Sequence, residues 1–483
     1  MSTQETPVIK LENVETYSAF HFRAPINLEL LPGENLIVYG PNGSGKTFLV
    51  NTLRSAYRLK CGRITYNFGN DSSLSAYHNI KYVTFQDQYS SSITSMPYQM
   101  RWNHGTIDMN FEPQIKDYIE EICKLPQDFT EEMLKTVDFR KISAHTIRSL
   151  SSGEFRRFQI LHILTKHPKV LIIENPFIGL DKRGRDTVMS LLSTAAKKLD
   201  MNIIIAVSKF PECPVGFSHV VLTGGAKVTK LPLGRFLSNP RRDNADVNSG
   251  NAQKSVSNTV NADIVLQANN ISIRYGQRIV LDNLSLTIRQ GERWAITGPN
   301  GSGKSTLLSL ICADNPQAYA CDITLFGRKR GSGESIWDIK KNIGFVSPEM
   351  FGAWRRNHRV IDVVATGLYD TTGIFVRPKE ADYARAAKWL GIFHISNLAD
   401  KTYLNISSGE QRLVMLCRAF VKEPLLLILD EPFHGLDDDN VLTAKNIIAD
   451  YISSNTLRTL LMVSHYDTDF PQIISNRIHL ERR

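Results

Sequence analysis

No apolar run in this 483-residue sequence approaches the roughly 18 to 20 residues that a membrane-spanning helix needs. The longest runs, residues 170–173 and 425–429, have the length of buried parallel strands. Residues 1–6 are polar and lack the apolar segment of a signal peptide. The sequence therefore predicts a cytoplasmic protein, and any contact with a membrane is expected to be peripheral, at the inner face.

Cysteine is scarce and shows no metal-binding pattern. The six cysteines include no C-x-x-C pair and no zinc spacing, so we expect reduced thiols, most of them buried. The charge is also modest: 57 basic and 48 acidic residues give a net charge of +9. This excess is compatible with nucleic acid or an acidic partner but is too small to indicate either. The composition, 42% hydrophobic and 22% charged, is that of a globular protein.

One phosphate-binding pattern occurs twice. Residues 40–47 read Gly-Pro-Asn-Gly-Ser-Gly-Lys-Thr, and residues 298–305 repeat this with Ser at the last position. Both fit G-x-x-x-x-G-K-[ST], the P-loop, and both follow a strand-like run, residues 35–39 and 293–297. In a P-loop, backbone N–H groups and a helix start face the phosphates, the lysine reaches the β- and γ-phosphates, and the hydroxyl binds Mg²⁺. The predicted nucleotide ligands are Gly40, Asn42, Gly43, Gly45, Lys46, Thr47, Gly298, Asn300, Gly301, Gly303, Lys304, Ser305 and Thr306.

The repeat extends over most of the chain. Residues 150–154 match 406–410 and residues 170–181 match 426–437, with the same offset of 256 positions (437 minus 181). A constant offset indicates two copies of one domain. Within each copy, strand-like runs alternate with helical stretches, which is typical of an α/β fold with a parallel sheet. We predict one domain at residues 1–238, a flexible linker at 239–263 that is rich in Asn, Ser, Asp and Ala, and a second domain at 264–483.

Taken in order, the P-loop, the Ser-Ser-Gly-Glu segment, the Leu-Ile-Leu-Asp-Glu-Pro strand and Gly-Leu-Asp resemble the ABC ATPase family. The resemblance covers nearly the whole chain outside the linker. It implies two tandem P-loop nucleotide-binding domains, each with a parallel-sheet core and a helical subdomain, and it implies ATP and Mg²⁺ as cofactors.

In that family two cassettes face each other head to tail, and each nucleotide lies between one P-loop and the signature of the other cassette. The resemblance therefore pairs the first P-loop with Ser407 and Gly409, and the second with Ser151 and Gly153. The signature begins a helix, so its N–H groups and hydroxyl offer a second site for the γ-phosphate. Because both cassettes belong to one chain, both sites are expected to form within a monomer.

The second P-loop is accompanied in the sequence by candidate residues for binding Mg²⁺, for activating water and for contacting the nucleotide. Asp430 ends a hydrophobic strand, where its carboxylate can hold Mg²⁺ together with Ser305, and Glu431 is placed to polarise the attacking water. The resemblance implies that His465 is the switch histidine that contacts the γ-phosphate and that Tyr275 stacks on adenine. Catalysis is thus expected from Glu431 and His465 together with Lys304 of the P-loop.

The first P-loop departs from this set. Glu174 replaces the strand-terminal aspartate and keeps a carboxylate that can hold Mg²⁺ with Thr47, but Asn175 replaces the neighbouring glutamate. An amide cannot accept a proton from water near neutral pH. Lys209 replaces the histidine (465 minus 256), and Tyr17 retains an aromatic residue for adenine. We predict that this site binds ATP and hydrolyses it poorly; the alternative is that the substitutions have no consequence.

The chain does not match every kind of ABC protein. The linker is not the long charged arm of the translation-factor kind, and the cysteine-rich domain of the ribosome-recycling kind is absent. The chain most resembles bacterial tandem-cassette proteins of the molybdate-transport and photorepair type. Two functions stay open: a soluble clamp or regulatory ATPase that acts on nucleic acid or a protein complex, and an energy-coupling subunit that docks on a separate membrane permease.

The segment after the Q-loop is the candidate contact surface for that partner. Gln86 aligns with Glu349 at the Q-loop, and aromatic and basic residues follow in both halves. Such residues could receive a membrane protein or a phosphate backbone, or they could be ordinary surface and core. They are Tyr98, Arg101, Trp102, His104, Trp354, Arg355, Arg356, His358 and Arg359.

Overall fold

The structure of the protein, a computed structural model, describes residues 6–18, 20, 22–69, 75–84, 114–143, 150, 152–177, 180–224, 227–238, 263–275, 278–354, 357–371 and 373–481. Gln86, the post-Q-loop residues 98–104, Arg355, Arg356 and most of the predicted linker lie outside these ranges.

Strands in the first half form two sheets. A three-stranded antiparallel sheet has the order β2-β1-β4, and a six-stranded sheet has the order β5-β6-β7-β3-β8-β9. In the larger sheet only the last pairing, β8 with β9, is antiparallel. The strands are Ile9–Thr16 (β1), Ile26–Leu30 (β2), Leu36–Tyr39 (β3), Leu59–Tyr66 (β4), Ile80–Thr84 (β5), Val170–Glu174 (β6), Asn202–Val207 (β7), His219–Leu222 (β8) and Thr229–Pro232 (β9).

The second half repeats this arrangement. A four-stranded antiparallel sheet has the order β11-β10-β13-β14, and a five-stranded parallel sheet has the order β15-β16-β17-β12-β18. The strands are Ile264–Tyr275 (β10), Arg278–Arg289 (β11), Arg293–Thr297 (β12), Asp322–Leu325 (β13), Arg328–Lys329 (β14), Ile343–Val346 (β15), Leu426–Asp430 (β16), Thr459–Val463 (β17) and Asn476–His479 (β18).

Helices flank the parallel sheets and form a separate helical part between the P-loop and β6 or β16. In the first half they are Lys46–Leu53 (α1), Ala76–Asn79 (α2), Ile119–Ile122 (α3), Gln127–Thr136 (α4), Phe139–Ile142 (α5), Ser152–Leu164 (α6), Lys182–Lys198 (α7) and Leu233–Leu237 (α8). In the second half they are Lys304–Ile311 (α9), Ile336–Lys340 (α10), Val360–Ala365 (α11), Glu380–Ile392 (α12), Ser408–Phe420 (α13) and Asp438–Ser453 (α14). Among the described helices, none has the length and apolar content required to span a bilayer.

The parallel sheets bring the candidate site residues to one edge. Every residue of β6, β7, β16 and β17 is buried, as expected for parallel strands covered on both faces. In the second half β17 lies between β16 and β12. The carboxyl ends of these three strands therefore place Asp430, the residues after β17 and the P-loop side by side, where open α/β sheets bind ligands.

An apolar core fixes the signature helix of the second half. The rings of Trp389 on α12, Phe420 on α13 and Tyr451 on α14 have centroids 4.9, 5.1 and 5.7 Å apart. Aromatic rings at this spacing add about 0.5–1.5 kcal/mol per pair to the gain from burial. Helix α13 is thereby held against its neighbours, so the position of its first residues is set by the core.

The parallel sheets and helical parts confirm the predicted α/β architecture, but the antiparallel sheets were not predicted. In β1 and β10 the alternation of buried and exposed residues is interrupted by a register shift, at Asn13 and Asn270 respectively. Both asparagines have left-handed backbones, with φ of 50° and 49°. A bulge of this kind shifts the side chains to the other face and weakens the period of two on which strand prediction depends.

The expectation of mostly buried cysteines is wrong. Cys61, Cys123 and Cys213 are exposed, Cys321 is intermediate, and only the remaining two, Cys312 and Cys417, are buried. All six are free thiols. Burial raises the pKa of both buried thiols well above the usual range, which keeps them protonated.

Candidate functional site

Both P-loops have the backbone of an anion-binding loop. Gly45 and Gly303 precede α1 and α9 with φ of 91° and 93°, a left-handed conformation that favours glycine. Neither helix start has a side-chain cap within the described part of the chain. The first N–H groups of each helix are therefore available to an external anion, which the helix dipole also attracts.

Each P-loop lysine lies within its own loop. The ammonium of Lys46 donates to the carbonyls of Gly40 and Pro41 at 2.7 and 2.8 Å, and that of Lys304 donates to the two equivalent carbonyls at 2.7 and 2.9 Å. Burial lowers the pKa of Lys46 to about 8 and also lowers the pKa of Lys304. A phosphate beside such a desolvated ammonium would supply a negative charge that favours the protonated form of the lysine.

The predicted Mg²⁺ ligands lie together in both halves. Thr47 Oγ1 donates to Glu174 Oε1 at 2.5 Å, and Ser305 Oγ donates to Asp430 Oδ2 at 3.4 Å. A hydroxyl beside a carboxylate is the protein part of the Mg²⁺ donor set in P-loop proteins. Among the described residues, no group of three or more His, Cys, Asp or Glu is placed to hold a metal ion.

The longer side chain of Glu174 also reaches a partner that sequence reasoning missed. Its second oxygen, Oε2, accepts a hydrogen bond from the hydroxyl of Tyr82 on β5 at 2.6 Å. Phe345 of β15 stands at the corresponding place in the second half and has no hydroxyl. The carboxylate of the first site therefore accepts hydrogen bonds from two hydroxyls, those of Thr47 and Tyr82.

Glu431 is a buried carboxylate between two imidazoles. Its Oε1 lies 3.7 Å from His465 Nε2, and its Oε2 lies 3.7 Å from His434 Nδ1. Within the described residues Oε1 has no hydrogen-bond partner. Burial first, and then Asp430 and Asp469, raise the pKa of Glu431 well above its usual range. A perturbed carboxyl group with an open acceptor atom is suited to receive a proton from a water molecule.

The backbone of this position is the same in both halves. Glu431 and Asn175 have φ of 49° and 52°, in the left-handed region. Asparagine tolerates this conformation better than most residues, whereas other non-glycine residues lose about 1 kcal/mol or more there. Position 431 thus has a glutamate although its backbone conformation favours asparagine. A residue in an unfavourable backbone conformation is typical of a functional position.

His465 is the neutral imidazole of the site. Burial first, and then the charge of Lys304, lower its pKa to about 4. Near neutral pH the ring can therefore both donate and accept a hydrogen bond. Lys209, at the equivalent place of the first half, has its ammonium 4.5 Å from the centre of the Tyr466 ring, across the boundary between the halves.

Each P-loop contacts the other half of the chain. The N–H of Asn42 donates to Asp437 Oδ2 at 2.7 Å, and its side-chain amide donates to the carbonyl of Gly435 at 3.3 Å. In the mirror contact the N–H of Asn300 donates to Asp181 Oδ2 at 3.4 Å. Each aspartate also caps the helix that follows it. The two contacts are related by the repeat, so the halves lie head to tail.

Two regions of the sequence, residues 24–178 and 281–434, match the family described as ABC transporter. The chain belongs to the ABC transporter family. Its nucleotide-binding domains make it an ATPase with two ABC cassettes.

Similar proteins also have the two-cassette length. The ABC transporter ATP-binding protein ModF of Escherichia coli is 33% identical over 93% of this chain and 92% of its own length. An ABC transporter ATP-binding protein of Schizosaccharomyces pombe is 27% identical and covers 94% of each chain. A solved complex of archaeal ribosomal stalk protein aP1 with archaeal ribosome recycling factor aABCE1 matches with a TM-score of 0.52 at 16% identity, over 97% of this chain and 87% of that one. This last likeness shows the fold alone.

Of the two signature segments, the structure describes residues 407–410 more fully than residues 151–154. Ser407 caps α13, and its hydroxyl accepts from the Glu410 N–H at 3.3 Å while Glu410 Oε2 accepts from the Ser407 N–H at 2.7 Å. Gly409 approaches the first P-loop so closely that a Cβ there would overlap the amide of Asn42. Ser151 lies outside the described residues, and Gly153 is described only as part of α6.

The predicted adenine-stacking residues stay predictions. Tyr17 is 66% exposed, and the guanidinium of Arg58 lies over its ring, 5.8 Å from the ring centre. Phe20 lies directly against Gly45 at the start of α1 and is a further aromatic beside the first P-loop. Tyr275 is the last residue of β10, and only its backbone is described. The same holds for Glu349 in the Q-loop region.

The structure places Trp354 in the core and removes it from the candidate partner surface. It is only 3% exposed and packs edge-on against Tyr403 at 6.3 Å and His358 at 5.8 Å. Arg359 pairs with Asp362 at 3.0 Å and with Asp400 at 3.4 Å. Neither side chain therefore offers an unpaired aromatic face or charge for a partner.

Proposed function

We propose that this protein is a tandem ATPase that binds one ATP at each of two head-to-tail sites and hydrolyses ATP mainly at the site of Lys304 and Glu431. The pair of crossed contacts, Asn42 with Asp437 and Asn300 with Asp181, carries the proposal. It connects each P-loop with the loop that follows the catalytic strand of the other half. Binding at one site is thereby linked to the geometry of the other.

At the active site, Lys304 and the α9 N–H groups bind and orient the phosphates, and Ser305 with Asp430 would hold Mg²⁺. The metal supplies neutralisation of the charge that develops on the transferred phosphoryl group. Glu431 accepts the proton of the attacking water, and neutral His465 donates a hydrogen bond toward the γ-phosphate. Asn175 has no such basicity, so the first site retains ATP and contributes closure.

Closure should occur within one chain. For the Glu431→Gln protein with ATP, we expect a compact monomer in small-angle scattering, with a smaller radius of gyration than without nucleotide. Joining the cassettes in one chain favours the internal contact over pairing between chains. Chromatography with light scattering at several protein concentrations provides the control. A species that gains compactness only by dimerising between chains would contradict the proposal.

The partner proposed for this ATPase is a macromolecule on which it acts as a soluble clamp or regulatory ATPase in the cytoplasm. The unequal sites and the pairing of both cassettes in one chain support this function. The alternative is an energy-coupling subunit that docks on a separate permease, which agrees with the words "ABC transporter ATP-binding protein" in the name of the E. coli relative.

Fractionation of cells that contain the Glu431→Gln protein separates these functions. We expect the trapped protein in the soluble fraction, and any bound nucleic acid to dissociate steeply with salt because neutralised phosphates release counterions. The wild-type protein, which hydrolyses ATP and releases ADP and phosphate, is the control. Co-purification with an integral membrane protein, without salt-sensitive nucleic-acid binding, would support the permease-docking alternative.

A further inference from the structure

A cleft lies between the halves, beside the catalytic loops. Its lining comes from both halves and includes four pairs of residues that correspond in the repeat, 256 positions apart. The corresponding pairs are Phe177 with Phe433, Arg185 with Val441, Phe210 with Tyr466, and Cys213 with Asp469. Residues of both cassettes therefore meet in this cleft.

Two cations of the first half lie on one aromatic ring of the second half. The guanidinium carbon of Arg185 is 4.2 Å from the centre of the Tyr466 ring, and the ammonium nitrogen of Lys209 is 4.5 Å from it. Both distances are within the range of a cation–π interaction, which is stronger where the groups are partly removed from water. Tyr466 is half-buried, and burial raises its pKa to about 12, so its hydroxyl stays neutral.

The residues at the corresponding positions of the repeat differ. Val441 stands at the repeat position of Arg185 and cannot supply a cation. Phe210, at the repeat position of Tyr466, packs instead against Tyr39 and Phe236 of its own half, with ring centroids at 5.4 and 4.9 Å. The cations thus belong to the half with the altered catalytic residues, and the ring belongs to the half with the complete set.

Tyr466 belongs to the loop that presents the switch histidine. It follows His465 directly, and its N–H donates to Ser464 Oγ at 3.2 Å, while that hydroxyl donates to Asp469 Oδ2 at 2.7 Å. On the other side, Arg185 donates to the carbonyl of Leu180 at 2.9 Å, in the loop whose Asp181 contacts the second P-loop. The contacts that hold the Tyr466 ring therefore also hold the loop that places His465 near Glu431.

We propose that Arg185 and Lys209 are positioning residues for hydrolysis at the second P-loop. They hold Tyr466 and thereby keep His465 beside Glu431 when the halves are together. The inference rests on the proposed function, in which Glu431 carries hydrolysis. It gives Lys209 a role of its own: the residue that replaces the switch histidine of the first half acts on the catalytic site of the second.

Turnover of matched variants tests this role. Lys209→Met and Arg185→Met keep an unbranched, flexible side chain and remove the charge, and Tyr466→Leu removes the ring. We expect each to lower kcat by about three- to tenfold with KM for ATP changed by less than about twofold, since the lost interaction orients a group needed in the transition state. Lys209→Arg and Tyr466→Phe keep a cation or a ring and should retain most of kcat. Lys197→Met, on the exposed end of α7, is the control.

Two results would overturn the proposal. One is a wild-type kcat in Lys209→Met, Arg185→Met and Tyr466→Leu. The other is an equal loss in Tyr466→Phe and Tyr466→Leu, because the phenyl ring still accepts the cations. A double variant, Lys209→Met with Tyr466→Leu, should lose no more than Tyr466→Leu alone.

Amide hydrogen exchange separates failure of this proposal from failure of the proposed function. Exchange in residues 464–470 should be faster in Lys209→Met than in Lys197→Met, whatever the site of hydrolysis. Equal exchange rates in the two variants would contradict the proposal that Lys209 holds this loop. If turnover survives Glu431→Gln, the proposed function fails, but faster exchange in Lys209→Met would still support a role of Lys209 in holding the loop.

Discussion

Glu431→Gln is expected to lower ATP turnover by about 10²-fold or more, the usual contribution of a positioned acid or base. Glutamine has the size of glutamate and can occupy the same place between His465 and His434, each 3.7 Å from the carboxylate. Its amide cannot accept a proton from water. Phosphate release at saturating ATP measures the loss.

Asn175→Ala is the matched control at the equivalent position of the first half. The two positions have nearly the same backbone, with φ of 49° and 52°. Because Asn175 has no basicity to lose, we expect this variant to keep most of the turnover. Binding of a fluorescent ATP analogue to both variants checks that each still folds. Turnover that is lost with Asn175→Ala and kept with Glu431→Gln would reverse the assignment of the two sites.

The nucleotide-binding elements could be predicted because their sequence requirements are local. The P-loop needs glycines that tolerate left-handed backbones and a lysine at fixed spacing, and β12 extends over Arg293–Thr297 as predicted. The strand before Glu431 was evident for a similar reason, since a continuous apolar run of five residues suits a fully buried parallel strand. The repeat then transferred each assignment from one half to the other.

The interactions between the halves could not be predicted in the same way. The contact of Asp437 with Asn42 joins residues 395 positions apart, and nothing in the local sequence specifies it. At position 209 the sequence indicates only the loss of a histidine, because the contact of Lys209 with Tyr466 depends on how the cassettes pack. The place of Trp354 could not be predicted either, because an aromatic residue gives the same sequence signal at a surface position as in the core.

Gly409→Ala is expected to reduce both closure and turnover, the latter by about tenfold or more, since misplacement of groups by about 1 Å is enough for such a loss. A Cβ at Gly409 would overlap the amide of Asn42. That amide is fixed on both sides, because it donates to the carbonyl of Gly435 at 3.3 Å and accepts from Ser208 Oγ at 2.9 Å. It cannot move aside without losing these contacts, so the halves should separate.

Gly391→Ala is the control for this change, since a Cβ at that position of α12 would meet only Ser396 Oγ at 3.7 Å, an ordinary contact. We expect it to resemble wild type in ATP-dependent compaction and in turnover. A double variant, Gly409→Ala with Asn42→Ala, removes the overlap and should regain part of the compaction seen by scattering. If Gly409→Ala closes as well as Gly391→Ala, the signature of the second half does not meet the first P-loop in the ATP-bound protein. The head-to-tail sites would then have to be assigned to a different pairing of the cassettes.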